Sequence, residues 1–587
     1  MRYSSEKNST MKRQFVGILT AFFSVVSFSV LLWGEARAGV GSVSGLQADC
    51  RGAACRALDR ARRLERSVDV SRRDISCGGH AYGDSIIIGS IGDASVLIPM
   101  LATDATSHQI AGLIFNGLVK YDGNLDLVGD LAKSWTISED GLVITFYLRK
   151  GMKWADGVEF TAKDCVFGFN LIIDPKTPTA YAGDFKEVKK AEAPDAYTFR
   201  VTYKEPFAPA LSSWGNLVVL PEHILKGKTI TQTDFARHPV GLGPFRLKEW
   251  KTQELIVLEY NPEYFEGRPC LDRYIMRIIP DAATMFLELK SGGLDWMGLN
   301  PIQYKRQTNT GFFKENFKKY KYLSFSYTYL GYNLRDPLFK DKRVRQAISY
   351  AIDKEEVVRG VLLGLGVPAT GPYKPDAWYY NPNVKRYPYD PARALALLEE
   401  AGWSDHDGDG WLDKDGRRFT FTVITNQGNA LRDRTAQIIQ WRLRNIGIEM
   451  KIRTIEWTAF INDFIDKRRF QAVILGWTLG QDPDIYDIWH SSKTGPKELN
   501  FIGYENPEVD RLLEAGRHTF DREKRRHTYW RIQEILAEDQ PYTFLYVPMS
   551  LPIIHKRFRG IRPAPAGIDY NFIRWWVPKT EQKYIMP

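Results

Sequence analysis

Apolar positions along the chain fall into three textures. From Phe15 to Trp33 they run almost unbroken, behind the basic pair Lys12 and Arg13 and ahead of Ala36-Arg37-Ala38. A basic start, an apolar run and a small-x-small triplet make an export signal, so residues 1–38 are expected to be removed before Gly39. The run is also long enough to span a bilayer, which leaves an uncleaved anchor as the alternative. Residues 39–82 are rich in Ala, Arg, Gly and Ser, with Arg60-Ala-Arg-Arg63, and predict a basic flexible linker holding one short helix from Ala54 to Glu65. No later segment is apolar enough to cross a membrane.

From Ser85 onward the pattern is that of a mixed α/β globule. Ser85 to Gly89 predicts a strand, and residues 105–118 a helix with Ile110, Leu113 and Ile114 on one face. Ile144-Thr-Phe-Tyr-Leu148, Tyr197-Thr-Phe-Arg-Val201 and Leu255-Ile-Val-Leu258 have the alternation and aromatic content of strands. Between Arg343 and Asp353 the apolar set Val344, Ala347, Ile348, Ala351 and Ile352 has the spacing of a buried helical face. Asp390-Pro391 reads as N-cap and first residue of another helix, stopped at Gly402. Then follow alternating Phe419, Phe421 and Val423, a helix over 431–446 ending at Gly447, alternating Ile448, Met450 and Ile452, a helix from Thr458 to Asp466, and the strand Ala472-Val-Ile-Leu-Gly476. Strand, helix, strand, helix, strand at these lengths predicts an α/β sheet. Ligands in such sheets sit beyond the strands' carboxyl ends, which points to Gly476, Trp477 and Thr478.

Composition adds size and excludes some partners. The chain has 587 residues, 44% of them apolar, enough for two or three folded lobes. Its formal charge is +10, but residues 1–38 and 39–82 contribute +3 each, leaving +4 for the rest. A surplus that thin argues against a nucleic-acid surface. Cys50, Cys55, Cys77, Cys165 and Cys270 are odd in number, so at least one is unpaired or intermolecular. Gln47-Ala48-Asp49 before Cys50 does not suit lipid attachment, so lipoprotein anchoring is not expected.

Candidate chemistry is sparse. None of the nine histidines sits in a nucleophile elbow, and no GxSxG, HExxH or phosphate-loop pattern occurs. Asp482-Pro483-Asp484, near Trp477 and Trp489, could be cast as the two acids of a glycosidase cleft. The same residues also suit a buried acid pair in a hinge or ligand-contact loop. Asp405, Asp407, Asp409 and Asp413 occupy positions 1, 3, 5 and 9 of a calcium-type loop with Gly410 at 6, yet Gly416 stands where the twelfth position needs a bidentate carboxylate. An Asp/Gly-rich turn explains that segment equally.

The order of certain segments carries a resemblance. Leu131-Ala-Lys-Ser-Trp135, Phe146-Tyr-Leu-Arg-Lys-Gly-Met-Lys-Trp154, Gly241-Leu-Gly-Pro-Phe245, Tyr332-Asn-Leu-Arg-Asp-Pro-Leu-Phe339, Tyr389-Asp-Pro-Ala-Arg-Ala394, Ala401-Gly-Trp403 and Tyr504-Glu-Asn-Pro-Glu-Val-Asp510 follow one another across residues 83–587. In this the chain resembles the large extracytoplasmic solute-binding proteins of the oligopeptide, dipeptide and nickel class (family 5), which serve ABC importers. The resemblance implies a periplasmic-binding-protein-like clamp (type II, cluster C): lobe I from residues 83–117, 238–318 and 549–587, an inserted lobe II from 118–237, and lobe III from 319–548. It implies a periplasmic, non-enzymatic, monomeric receptor without a cofactor that passes a peptide to membrane permease subunits. It places Gly476, Trp477 and Thr478 on the ligand as an added strand would require, with Ser107 and Ile110 from lobe I and Tyr181 from lobe II also touching it. Many peptide-binding members carry an Asp three residues after this Trp for the ligand's amine; here that residue is Gly480, and the nearest acids are Asp482 and Asp484. Receptors for oligosaccharides or metal chelates, a cleft hydrolase and a chaperone-like holder of unfolded chains are the competing readings.

Overall fold

The structure, a computed structural model, describes Cys77 and residues 79–584 apart from 103, 180, 217–218, 457–458 and 496–497. The export signal, the helix expected over Ala54 to Glu65, and Cys50 and Cys55 lie outside the described residues.

A seven-stranded sheet is assembled from distant parts of the chain. Ser85–Ser90 lies parallel to Arg273–Ile278, which pairs antiparallel with Leu255–Tyr260 and, through it, with Phe245–Lys251. On its other side stand Trp296–Gly298, Pro552–His555 and Phe317–Lys319. Alternation sends Ile86 and Ile88 into the core, as a half-covered strand requires. Arg557 ties three of these segments: its guanidinium pairs with Asp84 and with Asp295 (Nη2 to Oδ2, 2.7 Å) and donates to the Ser85 carbonyl (2.9 Å). All three charged side chains are buried. A Cys77–Cys270 disulfide joins the same lobe across 193 residues, leaving Cys165 free and buried.

A smaller antiparallel sheet in the order Ala132–Ile137, Val143–Leu148, Thr198–Tyr203, Val188–Asp195 is inserted between the first strand and Phe245. Its core is a cluster of rings around Trp214, whose centroid lies 5.0 Å from those of Phe185 and Phe199 and whose indole donates to Tyr203 Oη (2.6 Å). The helix Ala162–Ile173 packs on this sheet and opens with a capping box between Thr161 and Asp164. This core is continuous with that of the first sheet.

The second seven-stranded sheet contains the expected α/β run. Thr420–Asn426, Glu449–Ile455 and Ala472–Thr478 are parallel, with the helix Ala430–Arg444 and a π-helical turn Phe460–Ile465 between them. Ser326–Tyr332 and Tyr542–Ser550 extend the sheet antiparallel. The helix Lys342–Ala351 is capped by Asp341 and buries Val344, Ala347, Ile348 and Ala351, as its spacing predicts. Its Arg345 is also buried, because the guanidinium donates to the carbonyls of Phe339, Lys340, Asp539 and Gln540 and so satisfies a helix end.

The chain passes between the two large sheets twice, from Lys319 to Tyr322 and from Ser550 to Pro552. Two short crossings between two packed bodies form a hinge. The helix expected over residues 105–118 stops at Ile114, with Phe115 extended. Gly117 lies against the backbone of Gly215, where a Cβ would meet its carbonyl oxygen at 1.5 Å, so the chain must leave the helix to make that approach. No helix of the described residues is long and apolar enough to cross a membrane.

Candidate ligand-binding cleft

The strand Ala472–Thr478 has one open edge. On one side it pairs with Ser326–Tyr332 along its whole length, Ser326 opposite Thr478. On the other, pairing with Thr420–Asn426 is confined to Ala472 and Val473. Beyond Leu475, among the described residues, no strand pairs with that side as far as Thr478.

Side chains on this strand alternate between two cores. Val473, Leu475 and Trp477 belong to one, Ala472 and Ile474 to the other. The side chain of Trp477 packs in the core: it is 1% exposed, its indole donates to Tyr542 Oη (3.3 Å), and its ring lies 5.9 Å from that of Phe501, so a ligand contact of this residue would be made by its backbone. Gly476 is glycine for a packing reason, since a Cβ there would stand 2.9 Å from the Tyr327 carbonyl and 3.3 Å from Arg432 Nη2. Thr478 and Gly480 remain half-buried at the strand end.

Three further expected contacts have protein partners of their own. Ile110 is fully buried on the inner face of its helix. Ser107 is equally buried, its hydroxyl donating to Asp104 (2.6 Å) and accepting from the Ser95 N–H (2.8 Å), a helix-cap arrangement. Tyr181 donates its hydroxyl proton to the Ala102 carbonyl (2.8 Å) and lies 2.9 Å from His108 Nε2, joining lobe II to lobe I. Ile110 lies on the apolar face that its spacing with Leu113 and Ile114 predicts, whereas the partners of Ser107 and Tyr181 were not legible in the local sequence.

Asp482 and Asp484 do not face one another across a cleft as a hydrolytic pair would. Asp482 accepts from both terminal nitrogens of Arg525 (2.8 and 2.9 Å), and Asp484 from Nε of Arg517 (2.8 Å). They are struts beneath the loop after the strand. Where lobes II and III meet, Arg522 pairs with Asp126, His518 with Glu205 (3.3 Å), and the Ala208 N–H donates to the Arg517 carbonyl (2.5 Å). Burial pushes Asp184 of lobe II up to about 6, with Asp484 and Asp487 opposite adding to the effect and Arg517 opposing it. These contacts close a cavity of about 160 Å³ between Tyr121, Leu127 and Leu211 on one side and Trp378, Gln481 and Asp482 on the other. Gln481 Oε1 is buried there without a hydrogen bond.

Two charged groups, one over the strand Ala472–Thr478 and one in the C-terminal segment, carry no signal in the sequence. Arg432 stands over Gly476, donates to Asn426 Oδ1 (2.6 Å) and has no carboxylate partner among the described residues, and burial lowers its basicity. Asp569 carries a buried oxygen without a hydrogen bond. Both sit in segments whose local pattern is ordinary, a helix start and a turn; their isolation exists only in three dimensions.

The calcium-type segment does not assemble its four acids. Carboxylate oxygens of Asp405, Asp407 and Asp409 converge within 4.8 Å, all exposed. Asp413 is turned instead to His406, accepting from its N–H (3.1 Å), and Asp409 pairs with Arg418. Asp405 accepts the Gly408 and Gly410 N–H groups (2.9 and 3.0 Å), the bonding of an Asp/Gly turn.

Two α/β bodies on a double crossing, with an inserted lobe meeting the far one over a cavity and a half-open strand at the seam, define a clamp that closes on a solute. The chain belongs to the bacterial extracellular solute-binding proteins, family 5, whose middle-region model matches residues 126–498. It is 36% identical over 515 residues to the oligopeptide-binding protein AppA of Bacillus subtilis, covering 86% of this chain and 93% of that protein. It is 30% identical over 501 residues to heme-binding protein A of Haemophilus influenzae, covering 80% and 88%. Among solved structures it resembles Bacillus subtilis AppA in complex with a nonapeptide (TM-score 0.72, 35% identity, 85% of this chain and 100% of that one). It also resembles Campylobacter jejuni NikZ in complex with Ni(L-His) (TM-score 0.73, 29% identity, 84% and 99%).

Proposed function

We propose that this protein is the periplasmic receptor of an ABC importer, that it captures a peptide between lobes I/II and lobe III, and that it presents the closed clamp to the permease. The carrying observation is the open edge of Ala472–Thr478 beyond Leu475. A peptide main chain fits such an edge because it offers alternating N–H and C=O groups at the strand's own spacing, while pockets take its side chains. The cavity with Gln481 is one such pocket. Relatives named for oligopeptides support the ligand class. The ion-paired state of Asp482 and Asp484 supports binding without turnover, since both acids are already committed to arginines.

Native mass spectrometry of the exported protein, followed by denaturing release, tests the reading. Peptides of a narrow length range are expected to co-purify. Release of heme, a metal chelate or a sugar, with indifference to a peptide pool, overturns the ligand class and leaves the receptor role.

A further inference from the structure

Asp569 opens the 3-10 helix Asp569–Arg574, directly after a loop that every lobe touches. Lys374 of lobe III donates to the Pro565 carbonyl (2.7 Å), the Ala566 N–H donates to the Gly123 carbonyl of lobe II (3.1 Å), and a Cβ at Gly567 would stand 3.2 Å from the ring of Tyr322 on the first crossing. The same loop lies past the carboxyl end of the open strand. Leu479, just after that strand, donates to the Phe325 carbonyl (2.8 Å), and the Phe325 ring carries Lys374 Nζ at 3.8 Å. A chain laid along the open edge in the strand direction is thus led toward Asp569.

At this meeting point Asp569 Oδ1 is buried with no hydrogen bond, and no arginine or lysine among the described residues pairs with the carboxylate. The titratable groups facing it are Tyr274, from the lobe I sheet, and Tyr322, both kept neutral by burial. Asp569 as a residue is half-buried, but a carboxylate oxygen buried without a hydrogen bond is unfavourable, and in native proteins such groups concentrate where a ligand supplies what is missing. Position 480 is glycine, and Asp482 and Asp484 are occupied by Arg525 and Arg517. We propose that Asp569 receives a protonated nitrogen of the bound ligand, taking the place of the acid absent at position 480. The inference rests on the peptide reading. It has a second signature: burial holds the free carboxyl up to about 7, and an arriving cation favours its charged form, so binding at pH 6 releases a proton.

Three nonapeptide pools test it by titration calorimetry in two buffers of different ionisation enthalpy: one with free amino termini and no Lys or Arg, the same pool N-acetylated, and an N-acetylated pool containing Lys. The wild-type chain is expected to bind the free pool about tenfold or more tighter than the first acetylated pool, the scale of a charge-assisted hydrogen bond, and to release a proton at pH 6. Recovery of affinity with the Lys pool identifies the nitrogen as a side chain's and equally supports the proposal. Asp569→Asn is expected to bind all three pools alike without proton release. Equal wild-type affinity for free, acetylated and Lys-containing pools overturns the proposal and leaves peptide binding intact, whatever the variant does. Discrimination retained by folded Asp569→Asn overturns it as well. Wild-type indifference to every pool overturns the peptide reading and this inference with it.

Discussion

Asp482 and Asp569 sit in loops on facing lobes at the same seam, and they are built in opposite ways. Asp482 is held in a bidentate pair with Arg525, whereas Asp569 faces Tyr274 and Tyr322 and pairs with no cation among the described residues. A buried charge with a well-placed partner is part of the scaffold; one without is a destabilised group that something else must complete. The contrast separates what holds the clamp's parts in shape from what awaits the solute.

The strongest way to break the contrast is to orphan a buried pair. Arg557→Met leaves Asp84 and Asp295 buried without their cation, and is expected to lower stability by about 3–5 kcal/mol in denaturant unfolding. Asp482→Asn strands the Arg525 guanidinium, 8% exposed, and is expected to lose about 2–3 kcal/mol by the same assay. If that variant unfolds like wild type, the pair is not the strut described.

Asp569→Asn is expected to shift stability the other way, by about 1–3 kcal/mol at pH 8, because it removes an unsatisfied buried charge. The folded carboxyl is held at about 7, against 3.8 for an ordinary aspartate in water. The neutral acid's contribution is full below about 4 and is lost as pH rises through 7, so thermal melts of variant and wild type should diverge between pH 5 and pH 8 and coincide near pH 4. Parallel melts would remove Asp569 from the class of uncompensated charges. Smallest of all, Arg522→Ala breaks an interlobe pair with Asp126 in which both side chains are nearly half exposed. Its effect on unfolding should stay below about 1 kcal/mol, while small-angle scattering should show more of the open form without ligand.

Much of this was legible beforehand because it is local. The strands at Ser85, Val143, Leu255 and Ala472 follow from alternation, the Asp390-Pro391 helix start from capping, and the stop near Gly447 from its positive φ of 77°. The helix Arg522–Asp539 was not read, since the face it buries includes Arg525 and Gln533 beside Tyr529, Ile532 and Leu536, and polar residues at buried positions blur the apolar period. The packing of the Trp477 side chain was not legible, because alternation tells that it opposes Gly476 and Thr478, not which of the two faces a neighbouring element will cover.

By itself the sequence determined the α/β class and the family, and it drew attention to the strand Ala472–Thr478. Periodicity, caps and motif order span a few to a few tens of residues, and each is written contiguously in the chain. Tertiary structure alone decided which charges have partners. Asp482 finds Arg525 across 43 positions and Asp84 finds Arg557 across 473, while Asp569 finds neither, because ion pairing depends on distances of a few ångströms and on burial, and folding brings those together without regard to separation along the chain.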